Sequence, residues 1–251
     1  MEKETKYGII KRKIEFPPID LLSVPHKDGE LIVAYPAFGP NSFQENIAEM
    51  QKTYSHPRTV EAISFIEPTT SESISAAAYD FGSKGEVDAK RDIFDSEWLQ
   101  LGYIVRTSEG VFANPKKDEQ GKLVIDEQTL KSLLNKTEKV NGIYLLENDF
   151  GFAPYDTFKK GVQDSGDFAE GGLARLLEHT QEKTAKNLRE ISSTKFYNGG
   201  VNVYGFGEVK ESHLIAAGLY SGRGLGDVRF GVDGNNWVNN GGGCAFGVLK
   251  D

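Results

Sequence analysis

The chain has 251 residues, 38% hydrophobic and 26% charged, enough apolar material for a sizeable core and unlike the charge-rich, core-poor composition of a disordered protein. Its formal charge of -8, from 29 basic and 37 acidic side chains, argues against a broad nucleic-acid surface. MEKETKYGII is polar and lacks a long apolar stretch, so no secretory signal is expected, and no run approaches about 18 apolar residues. The single cysteine, Cys244, excludes an internal disulfide framework and CxxC redox chemistry, so the expectation is a cytoplasmic protein without a membrane partner.

In chain order, Lys6, Lys11, Arg12 and Lys13 read as a solvated basic segment, because no aromatic and basic pattern repeats elsewhere. PHKDGE offers a turn before an apolar strand in ELIVAYPAF. SFQENIAEMQKTY then places Phe43, Ile47 and Met50 at helical spacing, with Ser42 and Glu45 as a capping box. Thr69 and Glu72 repeat that spacing ahead of SISAAAYDF, a second helix. Asp95 is expected to cap a short turn carrying Trp98 and Leu99. YIVRT and VFANP form a hairpin around Ser108, Glu109 and Gly110. DEQGKLVID reads as a turn and strand, Asp126 as the cap of EQTLKSLLNKTEK, and VNGIYLLEN as a further strand.

The sharpest periodic signal runs from 167 to 191, where Ala169, Leu173, Leu176, Leu177, Thr180, Thr184, Leu188 and Ile191 recur every three or four residues. This predicts one long amphipathic helix packed on a sheet, with Asp167 and Glu170 as its capping box. Beyond it the composition changes. Residues 192–251 hold 14 of the 28 glycines and balanced charge, so the whole net charge lies in residues 1–191. Short strands between turns are expected there, with RFGVDGNN and CAFGVL paired around the Gly/Asn connection. The fold class is therefore α+β, a mixed or antiparallel sheet packed by several helices with a Gly-rich, β-dominated end. One domain over 1–251 is the first reading; a division into 1–191 and 192–251 is the alternative.

Glu147 and Asp149 follow a predicted strand, where loop carboxylates often meet ligands, and Asp164 and His179 flank the predicted long helix. Together they are the candidates for acid and base chemistry. The tripeptide Asp149-Phe150-Gly151 lacks every other kinase feature, and GRGLGDV lacks the dinucleotide-binding context. His26, His56, His179 and His213 are scattered singly, so no metal site is expected. Alternation in CAFGVL puts Cys244, Phe246 and Val248 on one face as packing residues, although His213 is a conceivable base for the thiol. Asp233, Asn235, Asn236 and Trp237 combine amides with a stacking face and form the candidate ligand-binding loop. The reading is a ligand-binding or protein-interaction module whose partner is a polar small molecule or a protein, with self-association compatible and no cofactor specified. The alternative is a small hydrolase or lyase-like enzyme using the loop carboxylates.

Overall fold

The computed structural model describes residues 19–55, 62–82, 98–135, 137–223, 227–235, 238–239 and 241–249. Lys6, Lys11, Arg12, Lys13, His56, Asp95, Asn236 and Trp237 lie outside them. The chain begins with β1 (Asp20–His26), β2 (Gly29–Tyr35), β3 (Phe38–Asn41), α1 (Phe43–Met50), β4 (Tyr54–Ser55), β5 (Ala62–Ile63) and α2 (Thr70–Gly82). The middle holds β6 (Trp98–Arg106), β7 (Gly110–Ala113), α3 (Glu127–Leu134), β8 (Lys139–Val140), β9 (Ile143–Leu145), β10 (Gly151–Pro154) and β11 (Gly161–Gln163). Three short helices follow, α4 (Ser165–Glu170), α5 (Gly172–Glu178) and α6 (Lys186–Ser192), and then β12 (Val201–Tyr204), β13 (His213–Arg223), β14 (Val228–Asp233) and β15 (Gly243–Ala245).

The fold is α+β, built on a mixed 11-stranded sheet in the order β11-β12-β14-β13-β6-β7-β10-β9-β8, with β15 pairing β6 and β3. Most neighbours are antiparallel; β12 with β14 and β15 with β6 run parallel. Strands from both sides of residue 192 share this sheet, because β13 pairs along nearly the whole length of β6. The predicted partnership of RFGVDGNN with CAFGVL does not form. β14 lies between β12 and β13, while β15 closes on β3 and the start of β6, so the polar connection spans two separate parts of the sheet.

Alternation along the strands sends neighbours to opposite faces. Ile104, Val111, Ala113, Ile215, Ala217, Cys244, Phe246 and Val248 join the main core under α2, α5 and α6. Ala216 and Ala245 join a second cluster with Phe43, Ile47 and Met50 of α1, and Val105 and Phe112 join a third with Leu130 and Leu134 of α3. The sheet thus carries helices on both faces. Cys244 takes the interior place that its alternation predicts, with 9% of its surface exposed. Among the described residues no helix is long and apolar enough to cross a membrane.

Local chemistry sets the helix starts. Ser42 and Glu45 make the reciprocal capping box of α1, and the side chain of Asp126 accepts the Thr129 N–H at the start of α3. At α2 the Thr69 N–H donates to Glu72 Oε2 at 2.8 Å and the Glu72 N–H donates to Thr69 Oγ1 at 3.3 Å. The β6–β7 hairpin pairs Ile104 with Ala113 and Arg106 with Val111, as the sequence predicts. Trp98 and Leu99 depart from the prediction: they begin the strand β6 rather than a helical turn, held by pairing with β15. DEQGKLVID forms its turn, with the Gly121 N–H donating to the Asp118 carbonyl at 2.9 Å, but its strand is reduced to an isolated bridge of Leu123 with the preceding Lys117.

The largest correction concerns residues 167–191. The single predicted helix is three, because Gly171 adopts φ -67°, ψ 150°, ending α4 and starting α5, and His179 turns left-handed at φ 51°, ψ 51° to end α5. At Gly172 a side chain would meet Thr157 Oγ1 at 2.1 Å, so close packing itself requires the glycine. Leu173, Leu176, Leu177, Leu188 and Ile191 are nevertheless all buried. Asp167 is not the cap: Asp164 Oδ1 accepts the Asp167 N–H at 2.8 Å, and the Asp167 carboxylate pairs with Lys159 on the surface.

Candidate functional site

The loop between β9 and β10 folds back on itself, with the Leu146 N–H donating to the Phe150 carbonyl at 2.8 Å. Asn148 and Asp149 inside it are both left-handed, at φ 56° and 60°. That geometry turns the Asp149 side chain inward, where only 5% of the residue stays exposed. Its carboxylate meets the beginning of α2. Thr69 Oγ1 donates to Oδ2 at 2.6 Å, and Ser71 Oγ donates to the same oxygen. Lys27 Nζ pairs with Oδ1, and His179 Nδ1 lies 3.3 Å from it.

Asn114 completes the anchorage. Its Nδ2 donates to the Asp149 carbonyl at 2.9 Å and its Oδ1 accepts the Thr70 N–H at 3.0 Å, satisfying a donor that the first turn of α2 leaves open. Lys27 arrives from the two-residue turn between β1 and β2, with φ 51°, and the adjacent His26 Nδ1 shares a 2.9 Å hydrogen bond with Ser75 Oγ on α2. Of the six non-glycine residues with positive φ among the described residues, Lys27, Asn114, Asn148, Asp149 and His179 gather here, and Asn141 alone lies outside the group.

The electrostatics follow from this crowding. Burial favours the neutral acid of Asp149, yet Lys27, Ser71, Thr69 and the His179 charge outweigh it and lower the pKa from 3.8 to about 2. Asp149 therefore remains ionised with both carboxylate oxygens engaged, and its chemistry is that of an orienting anchor rather than a proton carrier. Burial lowers the pKa of His179. Asp149 opposes that shift, Lys27 adds to it, and the carbonyls of Leu146 and Phe150 also oppose it. His179 Nε2 is buried and has no hydrogen-bond partner in the protein. His26 is likewise held below its ordinary value, first by burial and then by Lys27.

A cleft of about 870 Å³ opens in front of these groups, lined by Lys27, Asp28, Lys116, Thr137, Leu145, Leu146, Glu147, His179 and Gln181. A smaller one of about 440 Å³ lies on the other side of the turn, sharing Lys27, Asp28 and His179 and reaching Ser75, Glu178 and Asn187. Of the carboxylates read as candidates, Glu147 lines the larger cleft and Asp149 stands directly behind its lysine and histidine. Asp164 is absent from both linings and engaged as the α4 cap. Glu178 caps α6, accepting the N–H groups of Asn187 and Leu188 at 3.1 Å. Arg175 donates to the carbonyls of Asn141 and Glu170 and does not pair with Glu178 or His179.

The second candidate group is separate. Asp233 Oδ1 accepts the Asn235 N–H at 2.7 Å, and Arg106, itself buried, donates to the Gly234 and Gly207 carbonyls, so this turn is pinned from beneath. Neither cleft takes a residue from it. His213 opposes Arg106 whereas Cys244 opposes Leu99, seven residues along β6, a separation of roughly 20 Å that removes His213 as a base for the thiol.

The sequence reading missed Thr69, Ser71, Asn114 and Lys27. The Asn-Asp pair at 148–149 is a legible signal, since both types tolerate the left-handed region. Lys27 and His179 carry no such mark. Among the described residues no group of three or more His, Cys, Asp or Glu side chains is arranged to hold a metal ion. Compared with protein-family models, curated proteins and solved structures, the chain matches none.

Proposed function

We propose that the chain binds a polar small molecule in the cleft in front of Lys27 and His179. One observation carries this reading: Lys27 and His179, both at φ 51°, converge on the buried carboxylate of Asp149, itself at φ 60°. A left-handed backbone costs Lys and His about 1–2 kcal/mol each, and such strain collects where a fold holds side chains in place for use. The cleft size lies within the range of roughly 300–1,000 Å³ for small-molecule sites. The lone Cys244 supports a reducing, cytoplasmic setting.

The test is nuclear magnetic resonance of the full chain against a fragment set of small anions, cations, zwitterions and neutral sugars. Saturable shifts at Lys27, Glu147 and His179 are expected, and their absence for every class would defeat the reading. Shifts confined to Asp233 and Asn235 would move the site to that turn.

A second reading, a hydrolase or lyase-like activity, has its own support. His179 places Nδ1 3.3 Å from Asp149 Oδ1 while its imidazole lines the cleft, the carboxylate–histidine pairing from which general acid–base chemistry is built. In that case Glu147 or Lys27 faces the substrate while Asp149 holds the imidazole. Once a turned-over compound is found, His179→Gln should abolish kcat with little change in KM; an unchanged kcat removes this reading and leaves binding intact.

A further inference from the structure

We infer that the ligand of this cleft is a small zwitterion of the α-amino acid class, carrying an ammonium and a carboxylate on one short frame. The inference rests on reading the cleft as a binding site and goes further by naming the chemistry of its occupant. Four of the lining residues are charged, and one of them, Lys27, is already neutralised by Asp149. Lys116, Asp28 and Glu147 are different: among the described residues none of the three has an ion pair or a side-chain hydrogen bond, although they line the same cleft.

Elsewhere on the surface both conditions occur: Lys52 pairs with Glu49, Lys131 with Glu127, Lys159 with Asp167 and Lys186 with Glu182, whereas Lys122, Lys139, Lys183, Lys195 and Lys210 make no ion pair among the described residues. What sets Lys116, Asp28 and Glu147 apart is that they line one cleft together. Lys117, the immediate neighbour of Lys116, pairs with Glu67 at 2.7 Å. The cleft thus holds charges of both signs apart beyond pairing distance. A simple anion would satisfy Lys116 and leave two carboxylates facing it, while a simple cation would do the reverse. A molecule with both groups complements both, and wrong-charge ligands are rejected by repulsion as well as by lost attraction. Leu145 and Leu146, both half-buried, supply an apolar surface for a side chain, and burial lowers the pKa of His179, which disfavours its charged form beside an ammonium.

The experiment titrates the full chain with the free proteinogenic amino acids by calorimetry and resonance shifts. The tightest binder is then compared with its two one-charge analogues, as leucine would be with 4-methylpentanoate and 3-methylbutylamine. The zwitterion should bind at least about tenfold more tightly than either analogue. Lys116→Ala should reduce it to the affinity of the amine, and Glu147→Gln should bring it toward that of the carboxylate. Both side chains lack protein partners, so an unchanged melting temperature is the expected control. If an analogue binds within about threefold of the amino acid, the zwitterion is wrong and the site stands. The zwitterion is equally wrong, and the site equally intact, if no amino acid shifts the cleft resonances while another fragment class does. Silence from every class overturns the site itself.

Discussion

The leucine seam of α5 and the Asp149 node meet on one short helix, the first along its body and the second at its left-handed end. Leu173, Leu176 and Leu177 are buried by contact with other apolar groups and need only the helical period to get there. Asp149 is buried to a similar degree, but only because Lys27, Thr69, Ser71 and His179 arrive from three other parts of the chain. In the seam, tolerance is set by volume. In the node it is set by the completeness of the donor set, since each donor left unpaired costs its own desolvation. The seam therefore reports on the stability of the whole domain core, while the node reports on geometry held at a cleft.

The largest effect expected is in the seam. Leu176 is fully buried, and its Cδ1 lies against the backbone of Gly151 at the start of β10, close enough that a Cβ there would sit 2.9 Å away. Leu176→Ala should lower stability by about 2–5 kcal/mol in equilibrium denaturation, with little local change at Lys27. A loss below about 1 kcal/mol would show that α5 does not share the main core and would break the contrast at its apolar end.

The matching substitution in the node is Asp149→Asn. It removes the charge that Lys27 and His179 face and offers an amide to hydroxyl donors. A loss of about 2–3 kcal/mol is expected at pH 7, smaller than for a fully enclosed ion pair because the Lys27 side chain is 49% exposed. The pH dependence has a definite sign. The folded-state pKa of Asp149 is depressed from 3.8 to about 2, so its contribution is complete above the unfolded value and fades as pH falls through the folded one. Wild type and variant should thus converge in stability between about pH 4 and pH 2. Parallel stability curves across that window would mean that the carboxylate charge does no stabilising. Asp149 is also the main group raising the pKa of His179 against burial, so in the variant the imidazole should titrate still further below 6.5.

What was legible in the sequence divides along the same line. The capping boxes at Ser42 and Thr69, the cap at Asp126 and the hairpin at 104–113 are local signals, complete within a few residues, and the structure realises them. The stripe from Leu173 to Ile191 marks buried positions at its leucines and at Ile191, while Thr180 and Thr184 are only half-buried. It misleads about continuity, because three short helices that each turn a face to the same core keep nearly the same spacing as one long helix. The two glycines at 171 and 172 were the visible warning. In the node, Asp149 and His179 were both singled out, but their meeting was not readable. Their bonding partners lie up to 122 residues away, and the left-handed backbone at Lys27, in the β1–β2 turn, and at His179, at the end of α5, falls on residue types that do not announce it.

Imposed strain at Lys27 is measurable with a pair of variants at that one position. Lys27→Ala and Lys27→Gly both remove the ion pair with Asp149, so their difference isolates the backbone. Glycine adopts φ 51° without the Cβ clash, and Lys27→Gly should be the more stable of the two by about 1 kcal/mol, less a few tenths for its greater freedom when unfolded. Alanine equal to or better than glycine would show that the turn stores no strain. The strongest physical support for a functional node would then be gone.

The smallest expected effects separate the two aspartates at the start of α4, where sequence spacing favours Asp167 and the structure favours Asp164. Asp164 adopts extended backbone, φ -75° and ψ 162°, and its carboxylate accepts the Asp167 N–H, the arrangement in which a cap satisfies an otherwise open helix donor. Asp167 lies inside the first turn. It gains there from the helix dipole and an ion pair with Lys159, but both side chains are well exposed, at 47% and 70%. Asp164→Ala should therefore cost about 1 kcal/mol, and Asp167→Ala less than about 0.5 kcal/mol. Raising the salt concentration discriminates further: it should weaken the effect at 167 and leave most of the effect at 164, because a screened surface pair fades whereas a short hydrogen bond to a backbone amide persists. A reversed order would restore the uninterrupted D-x-x-E cap and, with it, a helix that starts one turn later than Ser165. His179 would then approach Asp149 from a differently placed α5, so this small measurement bears directly on the geometry of the node.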